Sequence, residues 1–321
     1  MCYSRFLLSI VVAPGSGLDT WLPVLINLNI LSAKPRLIDA LPPHLLVLFS
    51  VVAIQLGAGV STRLFPLVGV EGTVAIRVIL SAVILWLFAY RRISSLVSGF
   101  RRHWRILLLF GVCMAAMNFC FFKAIERIPL GVAVAIEFVG PLSVSALLSK
   151  HRGHLVWVAL AFFGILLLTP AIGSTLDMAG VVYAVLSGIG WGGFSLLSRR
   201  VSGQLKDNDG LVLGLTIAAM MMLPFALSIP VSAFVNPQVL LIGFLVALLS
   251  TAIPFTLEFE ALKRLSATTY GVLVSTEPAV AAMVGAVLLG ELIGIRGLVA
   301  VACVVVAAIG ITLSDTPDDD R

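Results

Sequence analysis

Long apolar runs alternate with short polar or charged segments along most of this chain. A helix needs about 17 to 25 apolar residues to cross roughly 30 Å of hydrocarbon, because it rises about 1.5 Å per residue. Breakers or charges separate the runs, as in FPLVGVEG after the first and PAIGSTLDMAG after the fifth. The pattern predicts ten membrane-spanning helices, at residues 44–63, 72–90, 105–122, 128–149, 154–170, 179–198, 210–229, 238–257, 267–289 and 295–314.

The composition favours the same class of protein. The chain is 60% hydrophobic and 12% charged, whereas a soluble domain is typically about a quarter charged. The net charge of +5 does not indicate nucleic-acid binding, because the basic residues form short clusters between apolar runs. The four cysteines lack metal-ligand spacing, and His151 and His154 flank Arg152 in a basic turn. We therefore expect an all-α integral membrane protein with neither metal nor cofactor.

Basic residues choose the orientation, because cytoplasmic loops are enriched in Lys and Arg. With ten spans and a cytoplasmic N terminus, four basic residues fall on the outer side of the membrane, namely Arg63, Lys123, Arg127 and Arg296. Sixteen fall on the cytoplasmic side, namely Arg5, Lys34, Arg36, Arg91, Arg92, Arg101, Arg102, Arg105, Lys150, Arg152, Arg199, Arg200, Lys206, Lys263, Arg264 and Arg321. Both termini are predicted to be cytoplasmic.

The spans divide into two halves that repeat. A shift of 137 residues brings Phe122 onto Phe259, Ala124 onto Ala261, Arg127 onto Arg264, Pro141 onto Pro278 and Gly153 onto Gly290. Five spans per half give the halves opposite orientations, as in transporters with inverted repeats. The predicted domains are repeat 1 at 44–170 and repeat 2 at 179–314, flanked by an extension at 1–43 and an acidic cytoplasmic tail at 315–321. The extension is either a surface-lying segment or the product of a start codon assigned too far upstream.

Two carboxylates lie beside prolines near the middle of corresponding spans. Glu137 precedes Pro141 by four residues, and Glu277 directly precedes Pro278. A proline removes the helical bond to the carbonyl four residues back, so Pro141 frees the carbonyl of Glu137. A carboxylate at the bilayer centre costs roughly 2.5 to 3.5 kcal/mol and usually faces a cavity or a partner. A midplane substrate and proton site is the leading interpretation, and structural polar contact between helices is the alternative.

Five other positions are candidates for the same site. Arg77 could bind a substrate carboxylate, extend to the outer interface, or pair with Glu71. Gln55 and Asn118 lie on polar faces that suit either a cavity or interhelical hydrogen bonds. Pro254 frees the carbonyl of Ser250, whose hydroxyl could bind ligand or repair the helix.

Trp191, the last of these candidates, could line a cavity or simply pack. It lies in SGIGWGG, whose glycines match a dinucleotide fingerprint in spacing but fall within a span, where Gly188 and Gly192 instead predict close helix packing.

Four stretches resemble a known family, namely FPLVGVEGTVAIR, IPLGVAVAIEFVGPLSVSALL, LLSTAIPFTLEFEALKRL and TYGVLVSTEPAVAA. They are similar to stretches of the bacterial inner-membrane threonine and homoserine exporters, in the EamA branch of the drug/metabolite transporter superfamily. The similarity spans residues 44–314. It implies a ten-helix bundle of two inverted repeats that exports small amino acids, with a proton as the expected coupling ion and lipid as its surroundings.

Two other functions remain open alternatives. Efflux of cationic drugs would use the same acids but favours a more aromatic cavity than this sequence offers. An integral membrane enzyme would need a catalytic constellation, and no grouping of His with an acid or nucleophile stands out at an interface.

Overall fold

The computed structural model describes residues 41–148, 154–168, 177–205, 209–254, 257, 261, 264–265, 270, 273–291 and 293–314. These residues form helices, and no strand occurs among them. The shorter elements include a four-residue helix, Val231–Phe234, and two π-helices, Leu248–Ala252 and Gly285–Leu289. The longer helices are α1 (Pro43–Ser61), α2 (Phe65–Ala89), α3 (Ile93–Ile125), α4 (Leu130–Leu148), α5 (His154–Leu168), α6 (Met178–Gln204), α7 (Asp209–Leu227), α8 (Pro237–Ala247), α9 (Glu277–Val284) and α10 (Ile295–Ser314).

The helices have the length and surface of a membrane protein. Among the described residues, three helical stretches are long and apolar enough to cross a bilayer, at 43–125, 178–198 and 209–227, the first of which takes in α1 to α3. Large apolar side chains cover the outside of the bundle, including Leu87 (66% exposed) and Leu227 (78% exposed). A soluble protein rarely exposes such an apolar surface. The predicted all-α membrane class is therefore supported, and each predicted span overlaps a helix. The predicted terminal segments, 1–43 and 315–321, lie almost wholly outside the described residues.

Helix α3 begins twelve residues earlier than its predicted span. Its non-helical residue His103, with φ −125° and ψ 23°, separates an N-terminal segment from the apolar part of the helix. Ile93, Val97 and Phe100 are exposed apolar residues in that segment. Serines and Gly99 lie between them, and a pair of arginines flanks the segment on each side. This amphipathic pattern suits a helix at the bilayer surface, which a search for apolar runs does not detect.

The helices pack as two interleaved halves. The first half is α1 to α5 and the second half is α6 to α10. From the first half, α3 and α4 both pack against α6, and α2 and α3 both pack against α7. From the second half, α8 and α9 both pack against α1, and α8 also packs against α2. Contacts of α4 with α9 and of α5 with α10 complete the bundle. The central helices of each half therefore bury their surfaces mainly against the other half.

Glycines allow α4 and α6 to meet backbone to backbone. A Cβ at Gly140 would overlap the carbonyl oxygen of Gly188, and a Cβ at Gly188 would lie 2.7 Å from the carbonyl oxygen of Glu137. A Cβ at Gly192 would lie 3.0 Å from the Val144 side chain. The predicted close packing at Gly188 and Gly192 is confirmed, and Gly140 completes it from α4. This contact sets the distance between Glu137 and α6.

Ion pairs join the connections at one end of the bundle. Lys123 Nζ lies 2.5 Å from Glu71 Oε1, and Arg127 Nη1 lies 3.0 Å from Asp177 Oδ2. The hydrogen bond from Lys123 lowers the pKa of the Glu71 carboxyl. Partly exposed pairs of this kind contribute about 0 to 1 kcal/mol each. These ion pairs show that the connections after α1, α3 and α5 lie at the same end of the bundle.

Glu291 links the two halves at this end. Its Oε2 accepts a hydrogen bond of 2.8 Å from the backbone N–H of Leu130, the first residue of α4. A carboxylate is favourable at a helix N-terminus, where N–H groups lack helical partners. Burial raises the pKa of Glu291, and the bond from Leu130 opposes that rise.

The opposite end is held by a buried carboxylate. Asp209, which is 1% exposed and begins α7, pairs with Arg92 Nη1 at 3.1 Å and accepts a hydrogen bond of 2.8 Å from Ser95 Oγ. The connections after α2 and α6 therefore meet at this end. These two connections lie at the end of the bundle opposite to the described connections after α1, α3 and α5.

The α4–α6 contact generates the first prediction. Replacing Gly140 by alanine should lower the free energy of unfolding by at least about 2 kcal/mol, because the new methyl group overlaps a backbone carbonyl that cannot move independently. The matched control is Gly203→Ala on α6, where a Cβ meets nothing within 4 Å. That change should be neutral or stabilise by up to about 1 kcal/mol through helix propensity. Thermal unfolding in detergent measures both, and equal midpoints for the two variants would contradict the packing.

Candidate functional site

Arg77 on α2 joins three segments of the bundle. Its Nε donates to Ser250 Oγ at 2.8 Å, and its Nη1 donates to Asn118 Oδ1 at 2.7 Å. The guanidinium carbon lies 5.0 Å from the centroid of the Phe122 ring, within the range of a cation–π interaction. Its Nη2 makes no hydrogen bond with the described residues. Arg77 is therefore positioned by α3 and the π-helix after α8 while one edge of its donor fork stays available.

The partners of Arg77 are themselves oriented by backbone bonds. Asn118 Nδ2 donates to the carbonyl of Met114 at 2.8 Å, which turns the amide oxygen toward Arg77. Ser250 Oγ donates to the carbonyl of Val246 at 2.6 Å, so its lone pairs are free to accept from Arg77. The hydroxyl of Ser250 thus both satisfies a backbone carbonyl and receives the arginine.

Glu71 does not pair with Arg77. It contacts Lys123 instead, at the end of the bundle. Of the three predicted roles for Arg77, pairing with Glu71 is wrong. The side chain turns into the bundle because polar partners on α3 and the π-helix are within its reach there. One turn further along α2, a second hydrogen bond of 3.0 Å runs from Ser81 Oγ to Thr251 Oγ1 and also joins α2 to the π-helix.

Glu137 lies against α6. Its Oε1 is 2.5 Å from Ser187 Oγ, which also lies 2.8 Å from the carbonyl oxygen of Met117 on α3. Glu137 is 7% exposed and Ser187 is fully buried. Glu137 also lies within electrostatic range of Arg77. The acid and the arginine therefore belong to one electrostatic unit in the interior.

Glu277 forms a second buried cluster with α1. Gln55 Nε2 donates to Glu277 Oε1 at 2.9 Å, and the two residues are 2% and 7% exposed. Gln55 Oε1 is buried with no hydrogen-bond partner among the described residues. Two residues further along α1, a Cβ at Gly57 would lie 3.0 Å from the Cβ of Ser250. Helix α1 therefore contacts the π-helix that holds Arg77, and its Gln55–Glu277 cluster offers one unused acceptor.

The three predicted helix breaks differ in structure. Helix α4 continues through Pro141 to Leu148, so this proline does not end the helix. Helix α9 begins at Glu277 with Pro278 in its first turn, after a turn at Ser275 and Thr276. Pro254 follows the π-helix Leu248–Ala252, whose wider turn accommodates the missing donor.

The carbonyl that Pro141 frees faces α6, where Gly188 covers it. The interpretation that this carbonyl is open to a ligand is therefore wrong for this conformation. The backbone of α6 lies close to this carbonyl in place of the missing N–H donor.

Trp191 packs against the interior of α4. Its ring lies 5.3 Å from that of Phe138 in an edge-to-face arrangement, next to Ala135 and Leu142. Of the two readings of Trp191, packing is the observed one. The glycines of SGIGWGG lie within α6 rather than between a strand and a helix, which excludes the dinucleotide fingerprint.

Sequence reasoning missed Ser187 and Phe122 as members of the site. Ser187 opens the glycine-rich SGIGWGG stretch, three residues from Gly190 and four from Trp191. A polar residue on a face otherwise built of small and apolar residues was the available signal. Phe122 carried no such signal, because nothing in its spacing distinguishes a ring under an arginine from a core ring.

Comparisons with known proteins give a consistent result. The sequence profile of the EamA-like transporter family matches residues 178–313. Over 276 residues the chain is 37% identical to the threonine/homoserine exporter RhtA of Escherichia coli strain K12, an alignment that covers 85% of this chain and 92% of RhtA. RhtA of Salmonella typhimurium strain LT2 is also 37% identical, over 277 residues, with the same shares covered.

More distant relatives extend this comparison. The uncharacterized transporter YwfM of Bacillus subtilis strain 168 is 25% identical over 198 residues, covering 59% of this chain and 67% of YwfM. A protein of known crystal structure superposes with a TM-score of 0.58 at 20% identity, covering 84% of this chain and 96% of its own. At that identity the superposition shows a shared fold.

The contact between Arg77 and Asn118 generates the second prediction. A double-mutant cycle with Arg77→Met and Asn118→Leu should give a coupling energy of about 1 to 3 kcal/mol, because a hydrogen bond to a charged donor is lost from a buried site. The matched control is the neutral bond of 2.8 Å from Trp86 Nε1 to Thr216 Oγ1, broken with Trp86→Phe and Thr216→Val. Its coupling should be nearer 1 kcal/mol. Unfolding in detergent measures both cycles, and additive effects at Arg77 and Asn118 would contradict the contact.

Proposed function

This chain belongs to the EamA-like transporter family, and we propose that it exports small hydrophilic amino acids such as threonine and homoserine across a bacterial inner membrane. The observation that carries the proposal is the 37% identity with the threonine/homoserine exporter RhtA over 85% of the chain. Relatives at this level are transporters and exporters by name, which favours transport over catalysis.

The substrate carboxylate is assigned to Arg77. A guanidinium binds a carboxylate through parallel N–H donors, and the described contacts of Arg77 leave Nη2 unused. Asn118 and Ser250 hold the other side of the arginine and lie close enough to contact the same ligand. The short hydroxyl-bearing side chain of threonine or homoserine then needs hydrogen-bonding groups rather than an aromatic wall. Gln55 Oε1, a buried acceptor without a partner among the described residues, is one such group.

The substrate ammonium is assigned to the two interior acids. Glu137 interacts electrostatically with Arg77, so a zwitterion bound there would meet both charges it needs. Glu277 lies on the adjoining cluster with Gln55 and serves as a supporting partner. This arrangement constitutes the proposed midplane site. Efflux of bulky aromatic cations is disfavoured, because such cations favour an aromatic cavity and the Trp191 ring packs against Phe138.

The two halves are proposed to be inverted repeats of five helices each. Exchange of the halves maps α1 to α5 onto α6 to α10, and the packing supports that exchange. The contact of α3 with α6 maps onto that of α8 with α1, and the contact of α3 with α7 onto that of α8 with α2. The contacts of α2 with α7, α4 with α9 and α5 with α10 map onto themselves. With sixteen basic residues against four, the proposed orientation has both termini in the cytoplasm.

A proton is the proposed counter-ion. The sequence has no nucleotide-binding motif to supply energy, and a buried carboxylate can carry one proton at a time. If the substrate ammonium and a proton compete for Glu137, the carrier returns with one after releasing the other. This competition is the minimum that antiport requires.

The proposed substrate gives the third prediction. Cells that lack their own threonine exporters and are fed a threonine-containing dipeptide should accumulate less internal threonine when this chain is expressed. The Arg77→Lys variant keeps the charge but loses the planar fork, so it should need about tenfold more substrate for the same flux. Equal accumulation with the wild-type chain and with an empty vector, at verified membrane insertion, would contradict the proposed substrate. Homoserine tested in parallel checks the second substrate.

The coupling role of Glu137 gives the fourth prediction. In vesicles, Glu137→Gln should abolish the dependence of threonine flux on an imposed pH gradient, because an amide keeps the shape but cannot exchange a proton. Glu126→Gln, at an exposed end of α3, is the matched control and should retain the dependence. Full gradient dependence in Glu137→Gln would move the coupling role to another acid, with Glu277→Gln as the next variant to measure.

A further inference from the structure

Ser187 places a single hydroxyl between two oxygens that both accept hydrogen bonds. Ser187 Oγ is 2.5 Å from Glu137 Oε1 and 2.8 Å from the carbonyl oxygen of Met117. A hydroxyl has one proton to donate and lone pairs to accept with. With one hydrogen for two acceptors, it can make a full hydrogen bond to only one of these oxygens at a time.

Counting protons distinguishes the two states of Glu137. If Glu137 is ionised, the hydroxyl donates to the carboxylate, and the short distance to the Met117 carbonyl has no hydrogen in it. If Glu137 is protonated, the acid donates to Ser187 Oγ, and Ser187 donates onward to Met117. Only the protonated state places a hydrogen in both short contacts. An O···O distance of 2.5 Å is at the short limit for a hydrogen bond and fits a carboxyl–hydroxyl bond in either protonation state, so the assignment rests on the count of hydrogens.

We propose that Ser187 is a positioning residue for the coupling proton, and that the conformation described here holds Glu137 in its protonated form. The protonated acid, Ser187 and the Met117 carbonyl form a chain of two hydrogen bonds that starts on α4 and ends on α3. The transport consequence rests on the proposed proton coupling, whereas the proton assignment itself rests on geometry alone.

The hydroxyl also serves the ionised acid without movement of heavy atoms. When the proton leaves Glu137, the Ser187 hydrogen turns from Met117 to the carboxylate, and the O–H dipole then stabilises the charge. The carbonyl of Met117 lies within the continuous helix α3, so it keeps its backbone N–H partner four residues on. Neither state leaves a buried polar group without a partner. Ser187 therefore allows the proton to leave and return in a site that is closed to water.

Other ionisable groups around Glu137 do not duplicate this role. From α2, Arg77 contributes a positive charge, and from α3, Cys120 is within electrostatic reach. From α9, Glu277 bonds to Gln55. On α10, Cys303 packs beside Gly164 of α5. Among the hydrogen bonds described for Glu137, the one with Ser187 is the contact that can reverse its direction.

Infrared spectroscopy of the purified full chain in lipid nanodiscs tests the proposal without any transport. A protonated carboxylic acid has a C=O stretching band that disappears on ionisation, and the band lost in Glu137→Gln identifies Glu137. We expect this band at neutral pH in the wild-type chain. Because removal of a donor costs the charged form more than the neutral form, Ser187→Ala should move the midpoint of its disappearance upward by about one pH unit. It should also raise the band frequency, since the acid proton loses its acceptor.

Matched variants separate positioning from packing. Ser198→Ala removes a serine on the same helix whose hydroxyl bonds only to the carbonyl of Ser195, and it should leave the band and its midpoint unchanged. Ser187→Thr keeps a hydroxyl and should restore the wild-type midpoint. Ser187→Cys keeps the volume with a weak donor and replaces Ser187→Ala if that variant does not fold.

Two results would overturn the proposal. One is the absence of any Glu137 band in the wild-type chain at neutral pH, and the other is an unchanged band and midpoint in both Ser187→Ala and Ser187→Cys. A threonine flux assay on the same variants reports on the proposed function separately. A shifted band with no threonine transport by the wild-type chain would contradict the substrate and leave the proton assignment intact.

Discussion

The site depends on the need to satisfy one guanidinium inside a bundle whose outer surface is apolar. Lipid offers no hydrogen bonds, so every donor of Arg77 that is withdrawn from water must be met by protein. Asn118 and Ser250 meet two of them, and their own backbone bonds fix which atoms face the arginine. Helices α2 and α3 and the π-helix after α8 are held at one point by this requirement. The Nη2 donors of Arg77, which have no partner among the described residues, need an acceptor that a ligand could supply.

The glycine contact between α4 and α6 is the second constraint on the site. Because Gly140 and Gly188 have no side chains, the two backbones approach closely enough for a serine hydroxyl to reach across from one helix to the other. With a larger interhelical distance, Ser187 could not contact both Glu137 and the carbonyl of Met117. Gly140 and Gly188, which pack the two helices together, therefore also set the geometry of the candidate proton site.

Much of this arrangement could be predicted from the sequence, for physical reasons that also explain the failures. Apolar runs determine where helices lie, and polar residues within them, such as Glu137 and Arg77, must find partners inside the bundle. What the runs do not show is which partner is found. Arg77 could reach Glu71 or the interior equally well by spacing, and the choice depended on where Asn118 and Ser250 pack. The amphipathic start of α3 was missed because its apolar residues are interrupted by serines and a glycine and flanked by arginines.

The effect of a proline was the least predictable feature. Pro141, Pro254 and Pro278 each remove one backbone donor, and yet they occur within a helix, after a π-helix and at a helix start, respectively. The lost hydrogen bond is the same in each case, but the outcome depends on what lies beside the freed carbonyl. At Pro141 it is the bare backbone of Gly188, and a sequence pattern contains no information about that neighbour.

The partners of the two interior acids suggest why their roles differ. Glu277 receives a hydrogen bond from an amide, which must turn its whole planar group to become an acceptor. Glu137 contacts a hydroxyl, which becomes an acceptor when a single hydrogen rotates. In a closely packed interior, rotation of a hydrogen requires no space, whereas rotation of an amide displaces neighbouring atoms. The hydroxyl beside Glu137 can therefore follow the arrival and departure of a proton more readily than the Gln55 amide beside Glu277, which agrees with the proposed assignment of the coupling proton to Glu137.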